Sequence, residues 1–154
     1  MAIDIAIETP LQDDVRAMVS ALNDYLIPLT PRQFQFPLTI EQMAEPAVTL
    51  FVARDGGHAV GIGALKDHGD ALGEVKRMFT LPEVRGQRVG ALLLRHIEGL
   101  AREKGITRLV LETGEAPGFE PAWRVYERGG FEQCGAVLDY PDSGFSRFYD
   151  KKLV

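Results

Sequence analysis

The chain has 154 residues, 45% of them hydrophobic, and a formal net charge of −5. That is enough apolar material for one domain with a substantial core, expected to span residues 1–154. The acidic balance argues against nucleic acid as the main partner, and no run of about 18 apolar residues is present to cross a membrane. The start, MAIDIAIETP, lacks the basic segment, apolar stretch and small-residue cleavage site of a secretion signal. Cys134, the single cysteine, has no internal disulfide partner and suits a reducing cytoplasm. With no histidine nearby in sequence, it reads as a small buried hydrophobe rather than a nucleophile.

Alternation over residues 3–7 (IDIAI) predicts a first strand, broken by Thr9-Pro10. Asp13 or Asp14 is placed to cap a helix running to about Leu26, with Val15, Met18, Val19, Leu22 and Leu26 on one face. The proline- and phenylalanine-rich stretch 27–40 cannot be one regular element. A short helix is expected over 40–44, stopped by Pro46. Residues 48–54 and 59–66 read as a hairpin around Asp55-Gly56-Gly57. A strand follows over 72–80, then a turn at 81–84 and a long amphipathic helix from Gly86 to about Lys104, closed by Gly105. Its buried face is Val89, Leu92, Leu93, Ile97, Leu100 and Ala101, with Glu98 and Arg102 as a surface pair. Residues 107–113 form another strand, Pro121 opens a helix ended by Gly129-Gly130, and 133–138 and 145–152 close the chain as strands. The expected class is α+β with a mixed sheet.

The strand–turn–helix over residues 74–91, EVKRMFTLPEVRGQRVGA, carries the most chemical information. A helix start presents unpaired N–H groups and the positive end of the macrodipole. Gly86 and Gly90 let a ligand approach the backbone, and Arg85 and Arg88 add charge, so the site suits a phosphate or pyrophosphate. A basic helix start with no ligand is the plainer alternative. The strand after the helix makes the unit strand–helix–strand, which implies a parallel pair with a right-handed crossover.

With the later segment Pro121–Phe131, the chain resembles the GNAT superfamily of acetyl-CoA-dependent N-acetyltransferases. The family motif Arg/Gln-x-x-Gly-x-Gly/Ala is matched by Arg85 and Gly90 at the right separation. A second, Ala-x-x-x-Tyr-Glu-x-x-Gly-Phe, is matched by Ala122, Tyr126, Glu127, Gly130 and Phe131. The match is strongest over residues 72–132. Two departures stand out: Arg88 replaces the middle glycine of the first motif, and Phe119 stands where relatives often have a polar residue. The segments Asp139-Tyr140-Pro141-Asp142 and Phe148–Leu153, with KRMF and LETG, look like one bacterial branch of acetyltransferases.

The resemblance implies a mixed sheet of about six or seven strands flanked by about four helices, acetyl-CoA as acyl donor, and direct transfer to an amine. It implies that Arg85, Gly86, Gln87, Arg88, Val89, Gly90 and Ala91 hold the pyrophosphate. The backbone of Met78 and Phe79 would pair with the pantetheine arm if the two parallel strands splay apart. Tyr126 falls where relatives place the hydroxyl that meets the leaving thiolate, although Ala122, Val125 and Tyr126 also make an ordinary apolar stripe. Tyr140 and Tyr149 are possible substitutes. Glu74, eleven residues before Arg85, falls where some relatives keep a catalytic glutamate, and a surface pair with Lys76 is its alternative. Strand alternation puts Glu74, Lys76 and Met78 on one face and Val75, Arg77 and Phe79 on the other. Charge on both faces of a central strand suggests that some of these residues line a cleft.

His58, His68 and His96 lack metal-ligand spacing and are expected to face solvent, with His68 close enough to Glu74 in sequence to touch substrate. The Phe34–Phe36 loop corresponds to the segment that shapes the acceptor pocket in relatives; a core plug is the alternative. The expected acceptor is a small-molecule primary amine, an amino acid or related metabolite. A protein or peptide amine, or a non-catalytic acyl-CoA-binding module, remain alternatives. A nucleotide-binding protein fares badly, because no Gly-x-x-x-x-Gly-Lys-Ser/Thr is present and Gly61-x-Gly63 sits inside a strand rather than opening a helix. The single cysteine and the lack of a secretion signal point to a cytoplasmic protein, and the resemblance implies a homodimer, since relatives are often dimers.

Overall fold

Residues 2–35 and 37–153 are described by a computed structural model of the chain. The strands are β1 (Ile3–Ile7), β2 (Val48–Asp55), β3 (His58–Gly69), β4 (Leu72–Thr80), β5 (Arg108–Gly114), β6 (Glu132–Cys134) and β7 (Ser146–Lys152). They form one sheet in the order β1-β2-β3-β4-β5-β7-β6. The helices are α1 (Asp13–Leu26), α2 (Ile40–Met43), α3 (Val89–Glu103) and α4 (Glu120–Arg128). The strand and helix counts agree with the expected architecture. β4 and β5 are parallel and joined through α3, while the other neighbours are antiparallel.

The sheet is covered on both faces. On one, Val89, Leu93, Leu94, Ile97 and Ala101 of α3 pack against Phe51, Leu65, Val75, Leu109 and Leu111. On the other, Val15, Met18 and Val19 of α1 pack against Leu50, Val52, Ile62 and Ala64. Each valine, leucine, isoleucine, phenylalanine or methionine among them contributes about 1.5–3 kcal/mol when fully buried, so the two layers fix the central strands under the site.

Local chemistry explains most element ends. Gly56 and Gly57, both at positive φ (56° and 91°), make the tight turn of the β2–β3 hairpin. Thr39 caps α2 in a reciprocal box with Gln42. α1 departs from expectation: Gln12 is its N-cap without a side-chain bond, and Asp13 and Asp14 sit inside the first turn, where their charge favours the helix dipole. β6 is also shorter than the expected 133–138. It ends at Cys134, and Leu138 is forced to φ 55°, a conformation incompatible with a continuing strand.

The departure that matters most for function lies in β4. Arg77 has φ 56°, and the β3–β4 register skips between the pairs Ala64↔Lys76 and Ile62↔Phe79. This is a β-bulge, and it reverses the alternation beyond it. Met78 joins Val75 on the α3 side, while Phe79 packs with Ile62 on the α1 side. The expected grouping of Met78 with Glu74 and Lys76 is therefore wrong. Gly63 makes room for the turned side chain, since a Cβ there would lie 2.6 Å from Met78 Sδ.

Candidate active site

β4 and β5 pair only over Leu72–Glu74 and Arg108–Val110, although β4 continues to Thr80 and β5 to Gly114. Beyond Glu74 the two strands separate into a wedge. The β5-facing edge of β4 from Lys76 to Thr80, including Met78 and Phe79, has no ladder partner there. An exposed strand edge of this kind is a template for another hydrogen-bonding chain.

Glu74 stands where the wedge opens, and it is 2% exposed. His68 Nε2 lies 2.8 Å from its Oε1, and Lys76 Nζ donates to its Oε2 at 3.2 Å. The Tyr140 hydroxyl donates to the same oxygen at 2.6 Å and accepts from Lys76 Nζ at 2.5 Å. The Glu74–Lys76 pair exists, but it is buried rather than on the surface. His68 is exposed, as expected, with its ring turned in against Glu74 and its side chain 23% exposed. Tyr140, whose one expected role was as a substitute for Tyr126, reaches Glu74 from a loop that no local pattern ties to β4.

Glu112 faces the same wedge from β5 and accepts from the Ser146 hydroxyl at 2.7 Å. Burial pushes its carboxyl above the ordinary range, against the opposing effects of the Ser146 bond and the Lys76 charge. Neither Glu112, within the LETG segment, nor Ser146 was expected at the site; a glutamate within an apolar strand was the available hint.

Tyr126 lies on the α3 side of the sheet, 7% exposed, with Phe131 and Tyr149 rings 6.1 and 6.0 Å away. Burial, reinforced by the charge of Glu112, raises its phenol pKa well above the ordinary value. The hydroxyl thus stays protonated and within electrostatic reach of the wedge. Tyr149 is less available: its hydroxyl donates to Glu127 at 2.7 Å, and the residue is fully buried.

At the far end of β4, Arg85 N–H donates to Pro82 O and Gln87 N–H to Val84 O, and buried Val84 anchors this turn. Gly86 (φ 86°) and Arg88 (φ 64°) then swing the chain into α3. The first in-register helical amide is Leu92 N–H, donating to Arg88 O. The amides of Val89, Gly90 and Ala91 precede it and have no carbonyl within the helix to bond. Arg85, Gly86, Gln87 and Arg88 are exposed around them. Arg88, the departure from the family glycine, occupies a left-handed position that glycine tolerates best. The other departure, Phe119, packs its ring onto Gly114, where a Cβ would lie 2.0 Å from Phe119 Cε2.

The end of α1 bridges the wedge. Tyr25 donates to Gly118 O at 2.5 Å, beyond β5, and the Arg85 guanidinium lies 5.8 Å from the Tyr25 ring centroid. Phe34 stacks on Phe145 at 5.0 Å; Phe36, also expected near the acceptor, lies outside the described residues. Elsewhere, Glu98 pairs with Lys151 at 2.8 Å. Cys134 is half-buried, and burial raises its thiol pKa, which disfavours the nucleophilic thiolate. No cluster of His, Cys, Asp or Glu suited to a metal occurs among the described residues, and no described helix is long and apolar enough to cross a membrane.

The model of the acetyltransferase (GNAT) family matches residues 15–131. An IAA acetyltransferase of Azospirillum brasilense is 38% identical over 152 residues, covering 98% of each chain. An acetyltransferase of Streptococcus agalactiae shares 25% identity and aligns with a TM-score of 0.77 over 98% of each chain. The PaiA N-acetyltransferase of Thermoplasma acidophilum, solved in complex with coenzyme A, aligns with a TM-score of 0.73 over 99% of this chain and 100% of that one. At 16% identity, that last likeness is one of fold.

Proposed function

The chain belongs to the acetyltransferase (GNAT) family and is an acyltransferase with acetyl-CoA as its donor, and we propose that it acetylates the primary amine of a small molecule by direct attack. The acceptor class is an amino acid or related metabolite. The observation that carries this reading is the opening of β4 from β5 just beyond Glu74, with a buried carboxylate on one side and the Tyr126 phenol on the other.

Acetyl-CoA supplies the activated acyl group as a thioester. The amides of Val89–Ala91, with Arg85 and Arg88, hold the diphosphate, and the free edge at Met78 and Phe79 aligns the pantetheine arm. Positioning of this kind supplies several kcal/mol of a bimolecular barrier. Glu74 takes a proton from the acceptor ammonium, and His68, hydrogen-bonded to Glu74 Oε1 and partly exposed, passes it toward water. The freed amine attacks the thioester carbonyl, so a C–N bond forms and the C–S bond breaks. Tyr126 donates its hydroxyl hydrogen bond to the departing sulfur. The remaining excess proton on nitrogen leaves with the solvent.

The segment folded over this end favours a small acceptor over an open peptide groove: Tyr25 ties α1 to Gly118, and Phe34 stacks on Phe145. A cytoplasmic setting accords with the single cysteine. The test is release of free CoA thiol from acetyl-CoA across a panel of amines, with Glu74→Gln compared over pH. Turnover with a small amine and a changed pH–rate profile in the variant support the reading. Tight cofactor binding with no thiol release from any amine would make the chain a binding module, and an unchanged profile would return Glu74 to a structural role.

A further inference from the structure

Arg77 is a buried cation without a carboxylate. It is 8% exposed in the β4 bulge, and its Nη2 donates to Asn23 Oδ1 of α1. Among the described residues no ion pair joins it to an acid, and its Nε has no acceptor. Three partly buried cations elsewhere hold acids: Arg54 pairs with Glu8 and Asp14, Arg147 with Glu115, and Lys76 with Glu74. A buried charge is costly unless it is paired and fully hydrogen-bonded. Burial draws the Arg77 guanidinium down to about 10, so it remains charged at neutral pH.

Its position matters as much as its isolation. The bulge keeps Lys76 and Arg77, successive residues, both directed toward the α1 side of the sheet: Lys76 bonds Tyr140, and Arg77 bonds Asn23. Arg77 thus lies between the Glu74 cluster and the unpaired β4 edge at Met78. Glu74 does not pair with it: Glu74 Oε1 meets His68, and Oε2 accepts from Lys76 and Tyr140.

We propose that Arg77, oriented by Asn23, is the anion-binding group of the acceptor site, and that the acceptor carries a carboxylate as well as its amine. The orphaned Nε–H is the donor an incoming oxyanion takes, and a planar guanidinium suits a carboxylate better than a lysine would. This rests on the acetyltransferase reading above and narrows its substrate class.

The test compares amino acids with their matched carboxamides in the thiol-release assay, using the wild type and Arg77→Asn. Asparagine tolerates φ 56°, so the bulge survives. The wild type is expected to favour the acid by about tenfold or more in kcat/KM, the scale of a charge-assisted hydrogen bond. The variant should lose that preference while keeping its rate with the carboxamide and its affinity for coenzyme A. A wild type indifferent to the carboxylate, or a variant equally impaired with both acceptors, overturns the proposal. Should Arg77→Asn not fold, Asn23→Ala serves instead, with a several-fold selective loss on the acid expected and an equal loss contradicting it. If no amine is turned over, the functional reading fails, and thermal-shift titration with glycine, β-alanine and γ-aminobutyrate still tests Arg77. Stabilisation of the wild type but not the variant supports the anion site, and no difference removes it.

Discussion

Tyr140 donates its hydroxyl hydrogen to Glu74 Oε2 at 2.6 Å across 66 positions of chain. The phenol remains a donor because burial, and then the Glu74 charge, hold its pKa far above the ordinary value. Glu74 therefore depends on a loop residue for part of its environment. Tyr140→Phe leaves a buried carboxylate short of one donor, at a cost of about 1–3 kcal/mol. Turnover should fall and its pH profile shift, while coenzyme A affinity stays unchanged. Steady-state kinetics over pH, with calorimetric titration of coenzyme A, check this, and loss of cofactor affinity would contradict it.

Tyr126→Phe retains the ring packed on Phe131 and Tyr149 and removes only the hydroxyl. The melting temperature should barely move, and kcat should drop about 10²-fold or more if the phenol meets the leaving sulfur. Unchanged turnover would assign Tyr126 to packing alone.

Much of this site was legible in the sequence. The helix start at 85–91, the alternation over 72–80 and the 122–131 motif gave the unit around the wedge, because they depend on local backbone chemistry and hydrophobic period. What was not legible depends on long-range pairing. No residue type announces the bulge: Arg77 is not a glycine, yet it adopts φ 56°, and that one conformation moves Met78 to the other face. The contacts of Glu74 with Tyr140 and of Glu112 with Ser146 join positions 66 and 34 residues apart. Only the sheet order, with β7 inserted between β5 and β6, brings the latter pair together.

The turn proposed to hold the diphosphate offers a way to separate stability from binding. Arg88→Gly removes a left-handed side chain that costs about 1–2 kcal/mol, partly offset by greater unfolded-chain entropy. The variant should melt no lower than the wild type yet bind coenzyme A more weakly, having lost a cation. Gly90→Ala places a methyl in ordinary contact, 3.5 Å from Val125 Cγ2, so the fold should tolerate it, and helix propensity favours it by up to about 1 kcal/mol. Weakened coenzyme A binding in a fully folded Gly90→Ala protein would locate the diphosphate at this turn. Melting curves and calorimetry read both effects.

Glu112 predicts a pH dependence of stability. Its folded pKa lies above the unfolded value because burial disfavours the charge. The folded state therefore binds the proton more tightly, and the wild type loses stability as pH rises from about 4.3, the ordinary glutamate value, through the folded pKa. Glu112→Gln keeps an acceptor for Ser146 and does not ionise. Its stability should match the wild type in acid and exceed it at neutral pH, as denaturant melts at several pH values would read. A gap that closes with rising pH would contradict this.

The most direct measurement is a crystal structure of the protein with coenzyme A. The diphosphate is predicted against the amides of Val89, Gly90 and Ala91, with the pantetheine arm along the free edge of β4 at Met78 and Phe79 and the sulfur beside the Tyr126 hydroxyl. A diphosphate bound away from the α3 start, or a sulfur outside the β4–β5 wedge, would contradict the account.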